Sequence, residues 1–482
     1  MIGVTCCSDT PISYLLTLET TVSNQAFSSL DLPSKLLSNL DQLGYKTMTD
    51  IQALSLPVTL EGKDLIGKAK TGSGKTASFG IPILTKLNPR FFGVQGLVLC
   101  PTRELATQVA NEIRKLARYL SNIKIVTICG GQPIGPQIAT LEHGAHIIVG
   151  TPGRIKDHLR KGTLQLEGIE TFVLDEADRM LDMGFFEDIN YIADFTPRKK
   201  QTLLFSATFP TDIENFSKNF QRNPVAVEVE SSHSQQHIQQ AFYKVEKGIE
   251  HKNKGLVRIL RNFQPKQAIV FCNTKQTCND VADYLKQCGY LALSLQGDME
   301  QRERDLTLVR FANQSAHILV ATDVAARGID IAALDAVVNY DLPRDPEVYV
   351  HRIGRTGRAG EQGHAFSLYL GSEKMKYDLI NSMQAEPIEI LEIDTLKEHG
   401  PRPEKTRMVT LGLDAGKKHK LRPGDILGAL TKEIGIPGSA IGKINIFDFV
   451  SYVAVDRSEA RQAVNGLSEG KIKGKKIRVR RI

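Results

Sequence analysis

Short, mainly apolar runs alternate with longer amphipathic stretches along most of this chain, and that alternation admits few folds. Residues 96–100, 146–149 and 172–174 are such runs, and residues 103–120 form an amphipathic stretch among them. Strands buried on both faces read as continuous apolar runs. When helical stretches separate them, the sheet they build is parallel, with helices on both sides. The pattern recurs beyond residue 240, at 268–271, 291–294, 317–320 and 337–339. Two α/β domains in tandem are predicted.

A chain of 482 residues leaves room for a third domain, at roughly 150 residues each. Charge locates it. The whole chain carries +7, yet residues 401–482 hold 18 Lys and Arg against 8 Asp and Glu, a net of +10, leaving −3 for the first 400. Residues 396–405, polar and containing two prolines, read as a linker, and residues 231–240, almost without apolar side chains, read as another. The expected division is 25–230, 241–395 and 406–482, with a poorly ordered extension over 1–24. That extension has no Lys or Arg in its first 24 residues and is interrupted by Asp9 and Glu19, so no signal peptide is expected. No apolar run is long enough for a transmembrane helix. The seven cysteines are odd in number and scattered, often within apolar runs, as Cys100 is, which predicts reduced thiols in a cytoplasmic protein rather than a disulfide framework.

The first chemistry lies in Ala69-Lys-Thr-Gly-Ser-Gly-Lys-Thr76, which follows a short apolar run and opens a helical stretch. This is the context a P-loop requires, although the strict pattern begins with Gly where this chain has Ala69. Thr71, Gly72, Ser73 and Gly74 would offer backbone N–H groups to phosphate oxygens, helped by the helix N-terminus. Lys75 would reach the β- and γ-phosphates, and the Thr76 hydroxyl would hold Mg²⁺. The run 172–174 ends in Asp175 and Glu176. One carboxylate there suits the metal and the next suits orienting or deprotonating a water. Nucleoside triphosphate hydrolysis is the expected reaction.

Asp175-Glu-Ala-Asp178 resembles the signature of the DEAD-box RNA helicases, and other motifs of that family follow in order. They are Pro101-Thr-Arg-Glu-Leu-Ala106, Gly130-Gly131, Thr151-Pro-Gly-Arg154, Ser206-Ala-Thr208, Gln296-Gly-Asp298, residues 321–330 and His351-Arg-Ile-Gly-Arg-Thr-Gly-Arg358. The resemblance covers about residues 27–393 and implies two RecA-like domains, ATP with Mg²⁺ as cofactors, and RNA as partner. Lys75, Asp175, Glu176, Arg355 and Arg358 match the family's catalytic positions, the last two as arginine fingers supplied by the second domain. Phe27 and Gln52 match its adenine-reading element, and Asp330 its ribose contact. Met48 and Asp50 stand where the family usually has Pro. Arg103, Gly131, Thr151, Arg154, Gln301, Arg304 and Thr322 match its RNA contacts, which hold phosphates and 2′-OH groups rather than read bases. Asp178, Ser206 and Thr208 match its coupling between domains.

The basic terminal segment reads β-α-β-β-α-β, the order of an RNA recognition motif (RRM). Its aromatic signature is poorly met: Tyr452 is kept, but Val450, Val455 and Thr410 stand where aromatics are expected. RNA is therefore directed toward another face, through the basic edge. Seven Lys and Arg and no acid occupy residues 471–482. A helicase core with this appendage resembles the bacterial DEAD-box protein A family. That resemblance implies recognition of 23S rRNA in pre-50S particles, a role in large-subunit assembly, and no obligate protein partner. The expected activity is ATP-dependent unwinding of short RNA duplexes. An ATP-gated RNA clamp is the alternative, and a DNA helicase is disfavoured by the 2′-OH-type contacts and the RRM-like domain.

Overall fold

The computed structural model describes residues 15–17, 25–69, 72–208, 216–229, 238–326, 334–357, 362–384 and 386–482. The chain divides into two compact units, with the main break after Ser232.

In the first unit the apolar runs form one parallel sheet. Its order is Leu15–Thr17, Val225–Glu228, Leu65–Lys68, Gln201–Ser206, Thr171–Asp175, Gly96–Leu99, Ile147–Gly150 and Ile125–Ile128. Helices bury the two faces in separate hydrophobic clusters. The helix Arg103–Leu116 shows why the sequence folds this way. Leu105, Ala106, Val109, Ala110, Ile113 and Leu116 recur at helical spacing and are all buried. Thr102 caps it by accepting a hydrogen bond from the Leu105 amide at 3.3 Å. Within the stretch read as a poorly ordered extension, Leu15–Thr17 pair with Ala226–Glu228 as an edge strand.

The second unit holds a parallel sheet in the order Ala292–Leu295, Ile318–Thr322, Ala268–Cys272, Ala336–Asn339, Gly363–Tyr369, Ile238–Lys244 and Ile390–Glu392. The strand Ile238–Lys244 begins inside the stretch read as a linker: Gln239 and Gln240 are polar, but they pair with His364 and Ala365 at one end of the strand. The same unit contains a separate four-stranded antiparallel sheet in the order Ile441–Ile446, Ser451–Asp456, Met408–Leu413 and Val479–Arg481, with its own apolar core. Its last strand starts at Val479. Lys473 and Gly474 are left-handed, and their turn, closed by Ile472 and Lys475, uses the residues before the strand.

The five cysteines in the described residues are free. No helix among those residues is long and apolar enough to cross a membrane.

A buried carboxylate ties down one end of the first sheet. Asp64 accepts the Thr202 amide on one oxygen and the Arg222 amide on the other, each at 2.7 Å. Asp64→Ala would strand the buried Thr202 amide and leave the part-buried Arg222 amide to water, so the first unit should lose about 1–3 kcal/mol. Urea unfolding, with hydrogen exchange at the Thr202 and Arg222 amides, measures the loss.

Candidate functional site

Parallel strands all end on one edge of their sheet, and in the first unit the predicted nucleotide residues collect there. The strand Leu65–Lys68 leads into the P-loop. Gly72 and Gly74 are left-handed, at φ +87° and +92°, and the helix Lys75–Lys86 starts directly afterward. Those two angles favour glycine. Space also requires it at Gly74, where a Cβ would lie 2.5 Å from the Gln52 side-chain nitrogen. The Gln52 amide donates to the Gly74 carbonyl at 3.0 Å and accepts the Thr49 amide at 3.0 Å, and the Thr49 hydroxyl donates to the Ser73 carbonyl at 2.8 Å. Gln52 thus braces the loop. Lys75, 6% exposed, donates from Nζ to the Ala69 carbonyl at 3.0 Å.

Phe27 is buried and meets Tyr45 edge-on at 6.0 Å, so its ring is part of the core. Its segment is held beside the Gln52 helix by the Met48 amide, which donates to the Gln25 carbonyl at 2.8 Å. Asp50 is the first residue of the helix Asp50–Leu60. Proline is favoured at that position because its missing N–H is unneeded, and an acid is favoured there by the helix dipole, so the exchange suits the helix.

Asp175 ends the strand Thr171–Asp175. Its Oδ1 is buried with no hydrogen-bond partner among the described residues. Burial pushes its carboxyl up to about 6, against the opposing pull of the Lys75 charge. A buried carboxylate oxygen without a protein partner, with Thr76 second in the P-loop helix, is the hard oxygen donor set that Mg²⁺ takes. Glu176 is left-handed at φ +54°, a conformation uncommon outside glycine, and turns the chain from the strand into the helix Ala177–Asp182. Asp178 then accepts the Ala207 and Thr208 amides, each at 3.2 Å, and the Thr208 hydroxyl at 3.1 Å. Ser206 donates to the Thr208 carbonyl at 2.6 Å.

The predicted RNA positions of this unit lie on the same edge, after three neighbouring strands. Arg103 opens the helix that follows Gly96–Leu99. Gly131 follows Ile125–Ile128, and a Cβ there would lie 1.5 Å from the Arg103 guanidinium, so the glycine makes room for the arginine. Thr151 precedes the helix Pro152–Arg160, and Arg154 donates to the Gln132 carbonyl at 2.9 Å. A buried histidine that the sequence reading passed over joins these loops. His158 contacts the Thr163 hydroxyl at 2.9 Å and Gln137 Oε1 at 3.1 Å, while Gln137 donates to the Cys129 carbonyl at 2.9 Å.

In the second unit Thr322 ends the strand Ile318–Thr322, and Gln301 and Arg304 open the helix Gln301–Ala312. Gln301 donates to Asp305 at 2.8 Å, and Arg304 donates to the Ala325 carbonyl at 2.7 Å. Arg355 follows the helix Pro346–Ile353. Arg352 is the residue missed here. It is 2% exposed, donates to both Asp323 oxygens at 2.7 Å, and also donates to Asn273, Asn339 and the Asp341 carbonyl. Its spacing from the buried Tyr349 placed it on the inner helix face and could have revealed it. Thr71, Asp330 and Arg358 lie outside the described residues.

Three family models match the chain: DEAD/DEAH box helicase over residues 49–216, helicase conserved C-terminal domain over 251–360, and DbpA RNA binding domain over 410–481. The chain is 52% identical to the ATP-dependent RNA helicase DbpA of Escherichia coli, over 94% of its own length and 99% of the relative's. It is 37% identical to the protein of that name from Bacillus subtilis, over 94% and 98%. Among solved structures it is similar to S. cerevisiae Dbp5 bound to RNA and ADP BeF3, with a TM-score of 0.69 and 31% identity over 77% of this chain and 96% of that one. With the P-loop, the paired carboxylates and a terminal RNA-binding domain in one chain, it belongs to the DEAD-box family of ATP-dependent RNA helicases.

Proposed function

We propose that this helicase is directed by its terminal domain to 23S rRNA and acts on large-subunit precursors, locally parting short duplexes. The observation that carries the reading is one shared edge. Asp175 ends, and Glu176 follows, a strand next to the one that leads to Arg103, so the candidate nucleotide and RNA residues follow adjacent strands of a single sheet, which supports the reading. The likeness of the terminal domain to the DbpA RNA binding domain supports a dedicated RNA address. Free thiols in the described residues suit the reducing cytoplasm.

In this reading the P-loop amides and Lys75 bind the phosphates of ATP. Asp175 and Thr76 would hold Mg²⁺, which supplies positive charge to the transferred phosphoryl group. Glu176 accepts a proton from the attacking water, held in place by its unusual backbone turn. Phe27, Gln52 and Asp330 set the nucleoside, with the Gln52 amide exchanging its Gly74 bond for the base edge. Arg103, Gly131, Thr151, Arg154, Gln301, Arg304 and Thr322 hold the RNA backbone. Arg355 and Arg358 stabilise developing charge when ATP and RNA together favour the closed state. Asp178, bonded to both Ala207 and Thr208, makes the carboxylate helix and the Ser206–Thr208 segment move as one body.

Glu176→Gln keeps the shape of the site and removes the base. ATP binding should persist while RNA-stimulated hydrolysis falls by at least about tenfold. Lys75→Ala should instead weaken nucleotide binding, which a fluorescent ATP analogue would read directly.

Removing residues after Pro403 should spare basal ATP hydrolysis, because every proposed nucleotide contact lies upstream. Stimulation by a 23S rRNA fragment should fall to that of scrambled RNA. The dependence of binding on salt should flatten as fewer phosphates are contacted. A ratio of activation by rRNA to scrambled RNA that survives truncation would show that the address lies elsewhere.

A further inference from the structure

Two candidate RNA cations lean on one short loop of the first unit. Gly131 leaves the space that the Arg103 guanidinium occupies, and Arg154 donates to the Gln132 carbonyl at 2.9 Å. The position of that loop therefore bears on both side chains. It follows Ile125–Ile128, the last strand of its sheet, which has a strand neighbour on one side only. Arg154 cannot be its permanent anchor, because a phosphate that takes the guanidinium competes with the Gln132 carbonyl for the same donors.

A second anchor lies about one turn further along the same helix. His158 follows Arg154 by four residues in Pro152–Arg160, which puts both on one face, and it is 0% exposed. The Gln137 amide nitrogen donates to the Cys129 carbonyl at 2.9 Å, which turns Gln137 Oε1 toward His158 Nε2, 3.1 Å away. An amide oxygen can only accept, so the ring carries its proton on Nε2. Burial lowers the proton affinity of the ring, and the Arg154 charge adds to that, so the imidazole is neutral. Nδ1 is then an acceptor, and the Thr163 hydroxyl donates to it at 2.9 Å. Thr163 is itself fixed, since its amide donates to the His158 carbonyl at 3.0 Å, after the left-handed Gly162. The bonds run unbroken from Thr163 through His158 and Gln137 to the carbonyl just before Gly130-Gly131. A ring with no exposed surface cannot be drawn away by a phosphate, so this anchor persists when Arg154 changes partner.

We infer that His158 and Gln137 are a positioning pair for RNA binding: together they hold the loop of residues 129–132 against the helix Pro152–Arg160, and so keep Arg103 and Arg154 at the spacing that one RNA strand requires. This rests on the proposed RNA contacts and adds the pair that holds them. The full-length protein should be titrated with labelled oligouridylate by fluorescence anisotropy, with AMP-PNP present. That single strand offers the terminal domain no hairpin, so its binding reports on the helicase core. A fluorescent ATP analogue is titrated separately. His158→Leu and Gln137→Met should each raise the half-saturating oligouridylate concentration by roughly tenfold. Combining them should cost no more than either alone, because both break the same chain of bonds. His158→Gln places an amide donor where Nε2 lay and should restore affinity to within about twofold. Affinity for the ATP analogue should stay within about twofold in every variant. Parallel losses of RNA and ATP-analogue affinity would mark a merely structural role and overturn the inference. Wild-type RNA affinity in Gln137→Met, which leaves the core histidine in place, would overturn it too. Arg154→Ala tests the contacts themselves. If it binds oligouridylate like the wild type, the RNA-contact reading fails and the inference falls with it. If it weakens binding while the His158 and Gln137 variants do not, the inference alone falls.

Discussion

Burial of parallel strands on both faces is the constraint from which the rest of this molecule follows. Strands such as Gly96–Leu99 and Thr171–Asp175 have every residue buried, so helices must cover both sides of the sheet. Polar chemistry is then confined to the strand ends. Every strand of a parallel sheet ends on the same edge, and the loops there lead into helix N-termini with free backbone donors. That edge holds the P-loop, the paired carboxylates and Arg103 at fixed spacings, because neighbouring strands are hydrogen-bonded in register from Gly96 beside Thr171 to Leu99 beside Leu174.

Buried charges and amides convert that edge into a connected device. Asp178 gathers two amides and a hydroxyl from the segment after Gln201–Ser206, so the helix that follows Glu176 cannot shift without moving that segment. Arg352 does comparable work in the second unit. Its planar fork satisfies both Asp323 oxygens and ties the helix Pro346–Ile353 to the end of Ile318–Thr322, with the Phe271 ring beneath the guanidinium at 5.1 Å. Removing Asp323 would strand the buried Arg352 guanidinium, and that keeps the spacing of these loops well defined. Gln52 serves the P-loop in the same way, as a neutral brace whose two ends are both engaged.

The terminal domain shows how a fold can be reused with its usual surface withdrawn. A hydroxyl at Thr410, in place of an aromatic, suits a contact that must hydrogen-bond to Asn313 and Ser315 rather than stack. Those contacts occupy the Thr410 side of the sheet.

The sequence by itself determined the two parallel sheets, the third domain and the P-loop, because burial on two faces and the glycine conformations of a phosphate loop leave local signatures. Asp175 and Glu176 were legible because an apolar run ended in them, and the ordered motifs carried the candidate RNA positions. Tertiary structure alone decided what depends on residues far apart in the chain. Periodicity could not show that Gly131 is small to admit Arg103, that His158 and Gln137 link two loops, or that Arg352 closes on Asp323. Neither could it show that the strand Ile238–Lys244 starts within a polar stretch: Gln239 and Gln240 are drawn into the sheet by pairing with His364 and Ala365, a contact made more than a hundred residues away. Local pattern reports how each segment is buried, whereas partners across the fold decide which buried group meets which.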